Sequence, residues 1–127
     1  MSVLPNDFLL IAENPQIASD EMKIRNSISR AYYSGYLHAK QKVDDSKISL
    51  PKTIGGVHYR LISAFDNGVC GSLCGGLPAV TQSQIAGFLS LGKQLRTKAD
   101  YRLETSMKET DRITSITLAK EVVRLLP

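Results

Sequence analysis

Tryptophan is absent from this 127-residue sequence, and tyrosine and phenylalanine together bring the aromatic share to only 6%. Cysteine occurs twice, as Cys70 and Cys74 in the stretch Gly68-Val-Cys-Gly-Ser-Leu-Cys-Gly-Gly76. Two thiols cannot make a disulfide framework. A structural zinc site takes about four ligands, and this C-x3-C spacing has no second pair near it. No metal or other cofactor is therefore expected, and the pair reads as free thiols in a flexible Gly-rich loop, with a redox pair or metal site as the alternative. Nowhere does an apolar run approach the roughly 18 residues of a membrane span. No basic stretch near Met1 leads into an apolar one, as a secretory signal would. The expectation is a soluble, cytoplasmic chain with no membrane partner. Runs of one charge sign are missing too: the net charge of +4 and pI near 9.2 come from a thinly spread excess of Lys and Arg. Such mild basicity is compatible with RNA or another anion without indicating it.

What is present is ordinary globular composition, 43% hydrophobic and 22% charged. At this length it fits one domain over residues 1–127 with one real core. Four to five helical patterns follow one another and no strand alternation is convincing. A short helix over Asn6–Glu13 is closed by Asn14-Pro15, because the residue before proline is pushed out of the helical region. A second starts near Ser19, with Asp20 and Glu21 where the helix dipole favours anions, and runs to about Val43. Ile24, Ile28, Ala31, Gly35 and His38/Ala39 share its apolar face, and small Ala31 and Gly35 would let another helix approach closely. Asp44-Asp45-Ser46 and Leu50-Pro51 mark a loop. A third helix carries Val57, Leu61, Ile62 and Phe65 and stops at the cap pair Asn67-Gly68. The fourth opens after Pro78 with a capping box in Thr81–Gln84 and buries Ile85, Phe88, Gly92, Leu95 and Ala99. The last has a box in Ser106–Glu109 and the stripe Ile113, Ile116, Ala119, Val123 and Leu126. Amphipathic helices throughout predict an all-α helical bundle.

The densest chemistry lies in the long helix, Arg25-Asn-Ser-Ile-Ser-Arg30-Ala-Tyr-Tyr-Ser-Gly-Tyr-Leu-His38. Arginine's rigid fork suits phosphate or carboxylate, tyrosine offers a stacking face with a polar tip, and histidine exchanges protons near neutral pH. An RNA-cleaving or nucleotide-binding site uses these parts, and so does a helix that holds a bundle together. Arg25 and His38 are about 20 Å apart along the axis, and Arg30 and His38 about 12 Å, so one helix cannot bring them to a single phosphate. Asp100, in Leu95-Arg-Thr-Lys-Ala-Asp-Tyr101, is a natural partner for a half-buried Arg30, a pair that would fix helix register. His58 reads as structural or surface-exposed.

Ser29-Arg-Ala-Tyr-Tyr-Ser-Gly-Tyr-Leu-His38 resembles the long helix of HEPN-domain proteins. Leu95-Arg-Thr-Lys-Ala-Asp-Tyr101 is similar to that family's R-x-x-A-D-Y segment, and Ile116–Val123 looks like its closing helix. The three blocks stand in the expected order over most of the chain. The resemblance implies an up-and-down, HEPN-like bundle that works as a homodimer. It also implies a toxin or antiviral defence effector, often encoded beside a nucleotidyltransferase antitoxin, acting as a metal-independent endoribonuclease. Its site would be composite across the dimer, with Arg25, Arg30 and His38 catalytic and Asn26, Tyr33 and Arg96 contacting RNA or nucleotide. The family's ribonuclease signature is R-x4-6-H, whereas seven residues separate Arg30 from His38 here. Two further readings stand beside the first: a non-catalytic HEPN module that binds a nucleotide, RNA or a protein partner, and a purely structural dimeric bundle.

Overall fold

A computed structural model describes residues 5–13, 21–50 and 55–127. Five α-helices follow in order: α1 (Pro5–Ala12), α2 (Glu21–Asp45), α3 (Val57–Asp66), α4 (Ala79–Tyr101) and α5 (Glu109–Leu125), with one 3-10 turn at Leu73–Gly75. No strand occurs among the described residues, so the all-α bundle expected from the periodicities is what forms. None of these helices is long and apolar enough to cross a membrane. The helix stop expected at Asn14-Pro15, the start at Ser19 and Asp20, and Pro51 of the expected loop lie outside the described residues.

α2 is the axis of the bundle and packs against α1, α4 and α5, while α3 leans on α4. Its buried face contains Ile24, Ile28, Ala31, Gly35, Ala39 and Val43, as the 3.6-residue period requires. Gly35 admits α5: a Cβ at that position would stand 3.4 Å from the Ala119 Cα. Arg25 meets Ala99, Gly92 faces Tyr32, and His38 meets Leu126. α2 therefore runs antiparallel to α4 and in the same sense as α5. At the start of α3, His58 lies against Tyr36, and beyond its end Cys70 reaches Gln82, so α3 also runs with α2. The simple up-and-down alternation expected from the family resemblance is thus interrupted between α2 and α3.

The main core gathers Tyr32, Tyr36, Val43, Leu61, Phe65, Leu73, Ile85, Leu89, Val122 and Leu126. Each large apolar side chain fully withdrawn from water contributes about 1.5–3 kcal/mol. Leu9 and Ala12 close a second cluster with Ala31, Ile116 and Ala119. In α5 the buried stripe is Ser115, Ile116, Ala119 and Val122, leading to Leu126. Ile116, Ala119 and Leu126 are buried as expected, whereas Ile113 is 53% exposed and Val123 only half-buried, Ser115 and Val122 taking their places on the buried face. Likewise Val57 is exposed at the beginning of α3.

The helix ends explain further departures. α3 closes as expected: Gly68 adopts φ 79°, its N–H donates to the Phe65 carbonyl, and the Val69 N–H donates to that of Ala64. α4 starts at Ala79 after Pro78, ahead of the expected Thr81–Gln84 box. Gln82 turns instead to the Gly-rich loop, accepting from the Cys70 N–H at 3.0 Å and donating to the Leu77 carbonyl at 3.0 Å. That stretch is thereby fastened to α4; Cys70 is buried, Cys74 exposed, and both are free thiols. α5 is capped by Asp111, which accepts from the Lys108 N–H at 2.8 Å, while Glu109 pairs with Arg112. The box expected at Ser106–Glu109 is displaced by two residues.

One side chain ties α2 to the end of α4 and to the loop that follows it. The Arg25 guanidinium, 5% exposed, reaches the carbonyls of Lys98, Ala99, Arg102, Leu103 and Thr105 and the carboxylate of Glu21. A helix leaves its last carbonyls without intrahelical partners and carries partial negative charge there, so a buried cation with five donors fits the end of α4. Glu21 completes the knot by accepting from the Met107 N–H at 2.8 Å. Replacing Arg25 with Met is expected to destabilise the fold by about 3 kcal/mol, with Arg25→Lys recovering less than half because an ammonium lacks the planar fork. Urea unfolding followed by circular dichroism measures this, and an unchanged midpoint for Arg25→Met would refute it.

Candidate functional site

Tyr32, Tyr33 and Tyr36 fall at i, i+1 and i+4 on α2, so one side of the helix presents three rings toward α3 and α4. α3 contributes His58. Its imidazole stacks on Tyr36 with centroids 4.0 Å apart and meets Tyr32 at 5.5 Å and Tyr33 at 5.7 Å. From α4 comes Arg96, whose guanidinium carbon lies 5.5 Å from the ring centres of both Tyr32 and Tyr33 and 5.9 Å from that of Tyr101. At this range the ring quadrupoles attract the cation. Gly92, one turn before Arg96, makes room for the cluster: a Cβ there would come within 3.2 Å of the Tyr32 ring.

Burial holds the Tyr32 hydroxyl far above the ordinary tyrosine range, so it stays protonated. His58 is pushed the other way: burial lowers its pKa, and the nearby charges of Arg96 and Lys93 lower it further. The Tyr32 hydroxyl and the His58 Nδ1 are joined by a 2.7 Å hydrogen bond that ties α2 to α3. Arg96 is only 9% exposed, and its Nε is buried with no hydrogen-bond partner among the described residues. Its Nη1 donates to the Asp100 carboxylate at 3.3 Å, and the Ser29 hydroxyl donates to the same oxygen at 3.2 Å.

Of the residues singled out from the sequence, Tyr33 and Arg96 are brought together here. Arg25 is not with them; its guanidinium is enclosed at the end of α4. His38 lies on another side of α2, where Nε2 donates to the Leu126 carbonyl at 2.6 Å, a contact that ties α2 to the end of α5. Arg30 is exposed. The described partners of Asp100 are Arg96, one turn earlier on the same helix, and Ser29, so the expected Arg30–Asp100 pair gives way to a shorter connection. Asn26 is exposed and lines an open groove of about 530 Å³ with Met22, Lys23, Asp100, Tyr101 and Leu103. Within one chain, Arg25, Arg30 and His38 thus do not converge. His58 joins the cluster although its sequence neighbours give no sign of it, and Tyr32 and Tyr36 join as the rings that hold it.

The chain matches no family model, no curated protein and no solved structure. Its own geometry defines an all-α bundle with an aromatic and cationic cluster where α2, α3 and α4 meet.

The cluster has a pH signature. The pKa of His58 in the fold lies below the 6.5 of an unperturbed imidazole, so on acidification the unfolded chain takes up this proton first. Its contribution to stability is therefore present above about pH 6.5 and is lost as pH falls toward the folded value. His58→Phe is expected to flatten the acid side of a plot of urea midpoint against pH from about 8 to 5. Parallel curves for the variant and the parent would show that the imidazole is not held neutral.

Proposed function

We propose that this chain is a HEPN-like module that binds a phosphate-bearing ligand, a nucleotide or RNA, at the Tyr33–His58–Arg96 cluster without cleaving it. The observation that carries this reading is Arg96, a guanidinium almost withdrawn from water, faced by three tyrosine rings and flanked by a neutral imidazole. Arginine matches phosphate geometry, and half-buried Tyr33 offers a face on which a base can stack. The endoribonuclease reading needs Arg25 or Arg30 together with His38 at one phosphate across a dimer. Weighing against it, the Arg25 guanidinium is held by five carbonyls and the His38 Nε2 by a sixth. The homodimer and the nucleotidyltransferase-type partner implied by the resemblance belong to this reading as its setting.

Fluorescence anisotropy with a labelled mixed-sequence RNA and with AMP as competitor tests the proposal. Arg96→Met and Tyr33→Ala are each expected to weaken binding by roughly tenfold, the cost of one stacked base or one charge-assisted contact. The RNA is expected to remain intact in EDTA on a denaturing gel. Unchanged affinity in both folded variants, or cleavage that His38→Ala abolishes, would overturn the assignment.

A further inference from the structure

The outer face of α4 carries a second feature that the cluster does not use. Gln94 and Thr97 lie along its solvent side, flanked by Lys93 and Lys98, and Arg102 and Thr105 close the far end. Together they line an open groove of about 560 Å³, and no carboxylate occurs among the described lining residues. Of the acids near the groove in sequence, Asp100 directs its carboxylate to Arg96 and Ser29, and Glu104, beside Thr105, is exposed and is not among the lining residues. From Lys93 to Arg102 the helix rises by about 14 Å, a length that matches a few nucleotides of extended strand rather than a single phosphate. Lys93 belongs to both features: it lines the groove, and its charge also bears on His58. A row of cations interleaved with neutral hydrogen-bonding groups, with one of the cations near enough to His58 for its charge to act there, suits a single-stranded backbone whose base stacks beside it.

We infer that the Lys93–Lys98–Arg102 groove is the backbone track for single-stranded RNA whose terminal or flipped base sits at the Tyr33 cluster, so that the natural ligand is an oligonucleotide. This deepens the reading above and rests on it. The groove holds the strand by charge and by neutral hydrogen bonds, which predicts strong dependence on length and on salt.

The test measures the anisotropy of a fluorescein-labelled ten-nucleotide mixed-sequence RNA and of a labelled mononucleotide over a range of salt. The parent protein and the Lys98→Gln/Arg102→Gln variant are compared, with folding checked by circular dichroism. The ten-mer is expected to bind at least tenfold more tightly than the mononucleotide. The double variant is expected to lose more than tenfold of that affinity and to flatten the salt slope by about 0.7 for each cation removed. Equal affinity for ten-mer and mononucleotide, or an unchanged salt slope in the variant, overturns the track and leaves the cluster as a mononucleotide site. Displacement of the ten-mer by polyglutamate as readily as by unlabelled RNA overturns the nucleic-acid assignment of the groove. Failure of both labelled ligands to bind the parent protein overturns the track and the cluster reading together.

Discussion

The Arg25 guanidinium at the end of α4 is the contact through which the bundle is registered. A 23-residue helix ends there with carbonyls that no further turn can satisfy, and the loop that follows folds its own carbonyls around the same cation. Because Arg25 stands on α2, closing the end of α4 also sets how far α4 slides along α2. Glu21, one turn earlier, adds the first residues before α5 to the same arrangement by holding the Met107 N–H. Once this end is pinned, Gly92 comes opposite Tyr32 and Arg96 comes between Tyr32 and Tyr33. The cluster is therefore a product of register, set by a side chain that never touches it.

The same constraint explains which parts of the molecule could be read from the sequence. α2 was legible because its buried positions repeat strictly and no proline interrupts them, and the Gly68 cap was legible because a left-handed residue after an amphipathic run has few other uses. In α5, Ile116, Ala119 and Leu126 are legible as core, but Ile113 is apolar enough to pass for core while Ser115 is small enough to be buried in its place. The starts of α4 and α5 were misplaced for a common reason. Hydroxyl–amide and hydroxyl–carboxylate spacings recur by chance; Gln82 is taken up by the preceding loop, and Glu109 by Arg112 within its own helix.

The candidate site divides along similar lines. Tyr33 and Arg96 were identifiable because aromatic and guanidinium groups on amphipathic helices need an explanation. Arg25 and His38 attracted a chemical reading for the same reason, yet both satisfy carbonyls at helix ends, a need that exists only after the helices are placed. From the sequence His58 reads only as structural or surface-exposed, because its relationship to Tyr32 and Tyr36 spans the connection between α2 and α3. No local pattern encodes a pairing across a joint where two helices run in the same sense.

The gathering of tyrosines has an optical consequence. The sequence has five tyrosines and no tryptophan. Tyr32, Tyr33, Tyr36 and Tyr101 all lie around His58 or Arg96, and the fifth, Tyr59, is the chain neighbour of His58. Light absorbed near 280 nm by this molecule is therefore absorbed almost entirely at one place. The native chain carries its own chromophore for that corner of the bundle, and its near-ultraviolet dichroism and tyrosine emission report on the packing there with no label attached.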